Sequence, residues 1–338
     1  MSELLSRVAE LGSKGDAEKI ETLTELVEVL DPNDGKEEQN KTRSKSVLDS
    51  SGVVDLIITL SATTSSVDIA MPVLWVLARL AFDEGNARRL LQKHPHLIQV
   101  LMAKLEPGVE IPEQMQVKAL NVLCNLALNN ENAREVVTEH ATLLSLLVAK
   151  VGSESEQMQV KALDMLNNLA WNNENARELV TEHATLFSLV VAKVKSESEQ
   201  VQVKALEVLS NLASDDENKR KMVTEHATLV SLVVTKVESK SKQVQIAALN
   251  VLCNLARNNE NAREMVTEHA TLLSLLVVKV GSESEQVQVK ALDVLQKLAQ
   301  SWNSGNKQKI ITLLVARLAE QVQIALNVLQ SLANKDVR

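Results

Sequence analysis

The 338-residue chain has no tyrosine, two phenylalanines and three tryptophans, so its core cannot be built around aromatic rings and must be packed by Leu, Val and Ala. That composition favours helices. So few rings also exclude the stacking platforms that hold single-stranded nucleic acid, and a net charge of -8 opposes a phosphate backbone. Nucleic acid is therefore not an expected partner. The nine glycines are scattered in turns and form no phosphate-cradling loop. No nucleophile stands with a base and an orienting acid, and no carboxylate pair is set apart, so no catalytic residues, no cofactor and no enzymatic activity are expected. The longest apolar stretches, such as Leu143 to Val148, fall far short of the roughly 20 residues a membrane span requires. The opening MSELLSRVAELGSKGD lacks the basic-then-apolar order of a secretory signal, and Ser2 excludes N-myristoylation. The expected location is the cytoplasm, with the nucleus also open to it, and no membrane.

What the chain has is repetition. The stretch QMQVKALNVLCNLA, from Gln114 to Ala127, returns as QMQVKALDMLNNLA, QVQVKALEVLSNLA, QVQIAALNVLCNLA and QVQVKALDVLQKLA. Its Leu-Ala pair begins at Leu126, Leu169, Leu212, Leu255 and Leu298, a fixed period of 43 residues. A period of that size marks a solenoid, in which neighbouring units bury one continuous core. Met115, Ala119, Leu120, Val122, Leu123, Leu126 and Ala127 follow helical spacing and define one broad buried face. Gln114, Lys118, Asn121 and Asn125 occupy the other. Cys124 and Cys253 hold the same repeat position three units apart. With each unit at least about 8 to 10 Å thick, they are out of disulfide range and read as small core residues of a reducing compartment.

Each copy divides into three helical segments. Asn130 can cap the first, ENAREVVTEH, with Glu131 favoured by the helix dipole. The second, ATLLSLLVAKV, is closed by Gly152. The third is opened by a capping box from Ser153 to Glu156, which Ser282 and Glu285 repeat. Six units follow one another, beginning at about Asn40, Asp83, Asn130, Asn173, Asp216 and Asn259. The second is lengthened by EPGVEIP before Glu113. In the first, Pro72 is expected to start or kink the last helix. Residues 1–36 form an N-terminal helical cap, 37–303 the six repeats and 304–338 a degenerate C-terminal cap. Because both ends of the stack are covered, a monomeric, elongated particle is expected.

The succession NENAREMV, HATLLSLLVVKV and SEQVQVKALDVLQKLA resembles the armadillo repeat, a three-helix unit of about this length. The short NENAR helix separates it from the two-helix HEAT repeat. The resemblance covers about residues 40–333 and implies an all-α, right-handed superhelical solenoid of the armadillo type. It further implies a concave groove lined by third helices, where an Asn near the end of each holds the backbone of an extended peptide. Position by position, that Asn corresponds to Asn125, Asn168, Asn211 and Asn254, replaced by Arg79 in the first unit and Lys297 in the sixth. Four residues earlier, where nuclear-import receptors of the family carry Trp, only Trp75 matches. The other units have Asn121, Asp164, Glu207, Asn250 and Asp293.

A carboxamide donates and accepts, so the Asn row could satisfy a ligand's C=O and N–H together. The same residues could instead brace neighbouring helices; as exposed groove residues they would contribute little to folding. Beside them runs a lysine row, Lys118, Lys161, Lys204 and Lys290, interrupted by Ala247 and able to pair with Asp164, Glu207 and Asp293. The groove is thus expected to be mixed in charge. Trp171 stands where other copies have Leu128, Ser214, Arg257 and Gln300, either as a ligand contact at the groove edge or packed on the next turn. His140, His183, His226 and His269 also repeat, but members a whole unit apart cannot share one metal ion. They read as exposed turn residues, and no metal is expected. The leading function is a scaffold for an extended peptide or partner protein along the groove. The alternative is a structural spacer or engineered array without a dedicated groove ligand.

Overall fold

The structure is a computed structural model. It describes residues 1–31, 37–50, 52–106, 108, 110–128, 142–171, 173–214, 222, 228–257, 271–299, 312 and 315. Among these every regular element is a helix. The chain divides into two compact units, Met1–Leu189 and Val190–Arg338.

The first unit contains α1 (Ser2–Ala9), α2 (Asp16–Leu30), α3 (Glu37–Asp49), α4 (Val53–Thr63), α5 (Val67–Leu80), α6 (Glu84–Lys93), α7 (Leu97–Ala103) and α8 (Glu113–Leu128). They are followed by α9 (Leu143–Val151), α10 (Glu156–Ala170) and α11 (Glu174–Glu182), and the division falls within α12 (Ala184–Lys193). The second unit contains α13 (Glu199–Leu212), α14 (Leu229–Val237), α15 (Lys242–Ala256), α16 (Leu272–Val280) and α17 (Glu285–Ala299).

Helix follows helix by packing like on like. In the first unit α3 packs on α6 and α4 on α7, while α2, α5, α8 and α10 pack each on the next. In the second, α13, α15 and α17 do the same, supported by α14 and α16. The sequence period explains this order. On α10, Met158, Ala162, Leu163, Met165, Leu166, Leu169 and Ala170 are all buried, and their spacing sets them on one side of the cylinder. Lys161, Asp164 and Asn168 remain half-buried on the other. Ala119, Ala162, Ala205 and Ala248 recur at one position and are fully buried, where a small side chain lets adjacent helices approach.

The turns before the third helices differ in detail from the sequence expectation. Ser155, not Ser153, is the N-cap of α10, its hydroxyl accepting from the Met158 N–H at 3.2 Å. Ser153 accepts instead from the Ser155 N–H at 3.1 Å, and its carbonyl accepts from Gln159 Nε2 at 2.5 Å. A serine two residues before another can close a local turn, which leaves the second serine to cap the helix. Ser198 and Ser241 cap α13 and α15 in the same way. The N-cap hydroxyls also reach sideways: Ser155 donates to Glu113 on α8, and Ser241 to Glu199 on α13. A second lateral tie joins Lys150 Nζ to Gln116 Oε1 at 2.6 Å and Lys236 Nζ to Gln202 Oε1 at 3.1 Å. Burial pushes both ammonium groups below their ordinary pKa.

Gly152 closes α9 as expected, but in a right-handed conformation (φ -76°). Pro72 lies inside α5 instead of starting it. Asn130 falls outside the described residues; its counterpart Asn173 caps α11, accepting from the Ala176 N–H at 3.0 Å. Cys124 and Cys253 are both buried thiols, and burial raises the Cys253 thiol pKa. No single described helix is long and apolar enough to cross a membrane.

Candidate functional site

The third helices bring the ladder residues to one face of each unit, and there the ladder ties helix to helix. Asn125 Nδ2 donates to the Ala78 carbonyl at 2.8 Å, and Asn168 Nδ2 to the Cys124 carbonyl at 3.1 Å. In the second unit Asn254 Nδ2 donates to the Ser210 carbonyl at 2.8 Å and to its hydroxyl at 3.0 Å. Arg79, at the same position, donates from Nε to the Leu30 carbonyl at 3.2 Å. The physical reason is local: the last turn of a helix leaves carbonyls without an intrahelical donor. Leu30, Ala78 and Ser210 stand in such turns.

These asparagines are half-buried braces, which corrects the expectation that they contribute little to folding. The brace uses one amide N–H of Asn125 and of Asn168. Their carboxamide oxygens, like that of Asn254, accept no hydrogen bond among the described residues. Asn121, Asn211, Asn250 and Lys297 are half-buried on the same helices.

Five of the expected groove residues come together where the successive third helices α5 and α8 meet. Trp75, Arg79, Lys118, Asn121 and Asn125, with Ala78 and Phe82, line one open depression of about 150 Å³. A neighbouring depression of about 260 Å³ is lined by Thr24, Val27, Met71, Pro72, Trp75 and Lys118. Trp75 and Lys118 line both. Phe82 is 56% exposed, with the Arg79 guanidinium 5.6 Å from its ring centre, within cation–π range. Sequence reasoning missed Phe82, although it follows the Leu-Ala pair of the first unit as Trp171 follows that of the third. It also missed Val27, Met71 and Pro72, whose helices carry weaker forms of the repeat.

Trp171 is the C-cap residue of α10 and is 60% exposed. Arg257 ends α15 and is likewise exposed. Along the lysine row, Lys161 meets Asp164 at 3.2 Å, Lys204 meets Glu207 at 2.9 Å and Lys290 meets Asp293 at 3.9 Å. Lys118 has Asn121 at that spacing and makes no ion pair among the described residues. Charge on this face is therefore uneven. His183 is half-buried and accepts from the Leu186 N–H at 3.3 Å; His140, His226 and His269 lie outside the described residues. Among the described residues no three His, Cys, Asp or Glu side chains could hold a metal ion.

Three-helix units whose third helices share a braced face define an α-solenoid repeat protein. The chain belongs to the armadillo-like family, whose profile matches residues 142–313, and residues 1–222 match the profile described as CIP2A, N-terminal. No curated protein is matched. Among solved structures, an engineered protein from a structural genomics consortium superposes with a TM-score of 0.77 at 21% identity, covering 94% of this chain and 72% of its own. A designed armadillo repeat protein gives 0.64 at 21% identity, covering 72% of this chain and 99% of its own. A second designed armadillo repeat protein, solved in complex with the peptide (KR)4, gives 0.65 at 22% identity over the same shares. Likeness at such identities is likeness of fold: an all-α solenoid of the armadillo type.

Proposed function

We propose that the chain is a non-enzymatic interaction scaffold that holds an extended peptide or partner protein along the shared face of its third helices. One observation carries the reading: Trp75, Arg79, Lys118, Asn121 and Asn125, drawn from two successive third helices, line a single open depression. A ligand laid across it would meet an aromatic surface, two cations and two amides, the mixture of apolar area and a few convergent polar groups that binding clefts use. The spare oxygens of Asn125 and Asn168 offer acceptors to a peptide backbone. The designed relative in complex with (KR)4 supports a peptide as the class of ligand. A rigid spacer is the second reading, favoured by the commitment of the ladder amides to bonds between helices.

The test is a random dodecapeptide display library panned against the full chain and against Trp75→Ala. The scaffold reading expects enriched peptides that bind saturably and weaken at least tenfold with the variant. Panning that yields no peptide able to saturate the chain returns it to the spacer reading.

A further inference from the structure

We propose that the paired depressions around Trp75 are adjacent subsites for a peptide carrying a large apolar residue next to a carboxylate. The inference rests on the scaffold reading and specifies the ligand at one end of its face.

The first half of the argument is shape. The larger depression is walled by Val27, Met71, Pro72 and Trp75, with Thr24 and Lys118 completing an almost wholly apolar lining. At about 260 Å³ it is smaller than the roughly 300 to 1,000 Å³ of sites that enclose a drug-sized molecule. It suits one side chain of a longer ligand. Proline within α5 helps make the wall apolar, because Pro72 presents ring carbons and carries no N–H.

The second half is charge. Neither depression is lined by a carboxylate, while Arg79 and Lys118 line the smaller one. Glu28 on α2 and Asp68 on α5 are exposed on the same elements but line neither. Elsewhere the repeat neutralises its lysine with an acidic residue three positions on, at Asp164, Glu207 and Asp293. At Lys118 the corresponding residue is Asn121, so this lysine has no acidic partner at that spacing. Arg79 spends its Nε on the Leu30 carbonyl and holds its guanidinium beside Phe82. Its remaining N–H groups make no hydrogen bond among the described residues. A carboxylate between Arg79 and Lys118 would receive charge-assisted hydrogen bonds from both. Because Lys118 also borders the larger depression, the acidic residue and the apolar one are neighbours on the ligand.

The test uses the full chain and four fluorescein-labelled decapeptides of one Ser/Thr/Ala background, carrying at the centre Glu-Leu, Gln-Leu, Glu-Ser or Lys-Leu. Fluorescence anisotropy should show the Glu-Leu peptide binding at least tenfold more tightly than each of the others. Its advantage over Gln-Leu should shrink as salt is raised. Lys118→Gln should remove the preference for Glu over Gln, with melting unchanged since Lys118 makes no ion pair or hydrogen bond among the described residues. Trp75→Ala should remove the preference for Leu over Ser. If Lys-Leu binds as tightly as Glu-Leu, or if Lys118→Gln leaves the preference intact, the acidic-apolar assignment is overturned while the scaffold reading stands. If no peptide binds and library panning also fails, both are overturned together.

Discussion

At the scale of a residue, the ladder Asn is defined by what its amide touches. Asn168 is half-buried and holds the Cys124 carbonyl of the preceding third helix at 3.1 Å. Asn168→Ala removes a hydrogen bond whose net value is typically about 0.5 to 1.5 kcal/mol. Asn168→Asp should cost more, about 1 to 3 kcal/mol, because it sets an oxygen against that carbonyl and leaves both without a donor. Urea denaturation of the two variants checks the order. Equal stability of all three proteins would mean the bond contributes nothing. The 43-residue period made the position legible, and the choice between ligand contact and brace was visible as a choice. The brace itself was not, because its partner is a backbone carbonyl on another helix and no side chain announces it. Arg79 shows the same limit: as a ladder replacement it looks like an interruption, yet it braces Leu30 just as the asparagines brace their neighbours. Phe82 was hidden for a different reason, since its unit departs most from the repeat and one aromatic there has no copies to compare.

At the scale of an element, the third helix depends on how it begins. The motif SESE contains two serines that could each cap, and a reading by spacing alone takes the first because it has a Glu three residues later. The structure chooses the second, since the first closes a turn and offers its carbonyl to Gln159. Ser155→Ala should therefore destabilise by about 1 kcal/mol, the usual cost of losing an N-cap. Glu113 on α8 loses its partner as well. Hydrogen exchange reads the site directly: the Met158 amide should exchange faster in Ser155→Ala and at an unchanged rate in Ser153→Ala. Acceleration by Ser153→Ala alone would restore the box at Ser153. The apolar pattern of these helices was legible throughout because burial follows the helical period of about 3.6 residues. The lateral bonds from Ser155 to Glu113 and from Lys150 to Gln116 were not, since they join residues of different repeats whose register is set by packing.

At the scale of the molecule, a repeat array behaves as a chain of nearest neighbours: each unit is stabilised by the one before and the one after. The braces found here act between successive third helices and so belong to that interface term. Their recurrence at Arg79, Asn125, Asn168 and Asn254 means that successive pairs of units are coupled by the same kind of bond. An architecture of this kind grows along one direction, whereas a single core grows in three. The radius of gyration follows from that difference. A compact globule of this chain's 338 residues would measure about 20 Å by the usual scaling. The armadillo-type stack is expected to exceed that clearly in small-angle scattering, with a forward intensity corresponding to one chain. A value near that of the globule would mean that the units fold back on one another, which would close the face proposed to bind peptides. A dimeric mass would overturn the expectation of a monomer, and charge-reversing substitution of the groove lysines would then show whether that face takes part in the association.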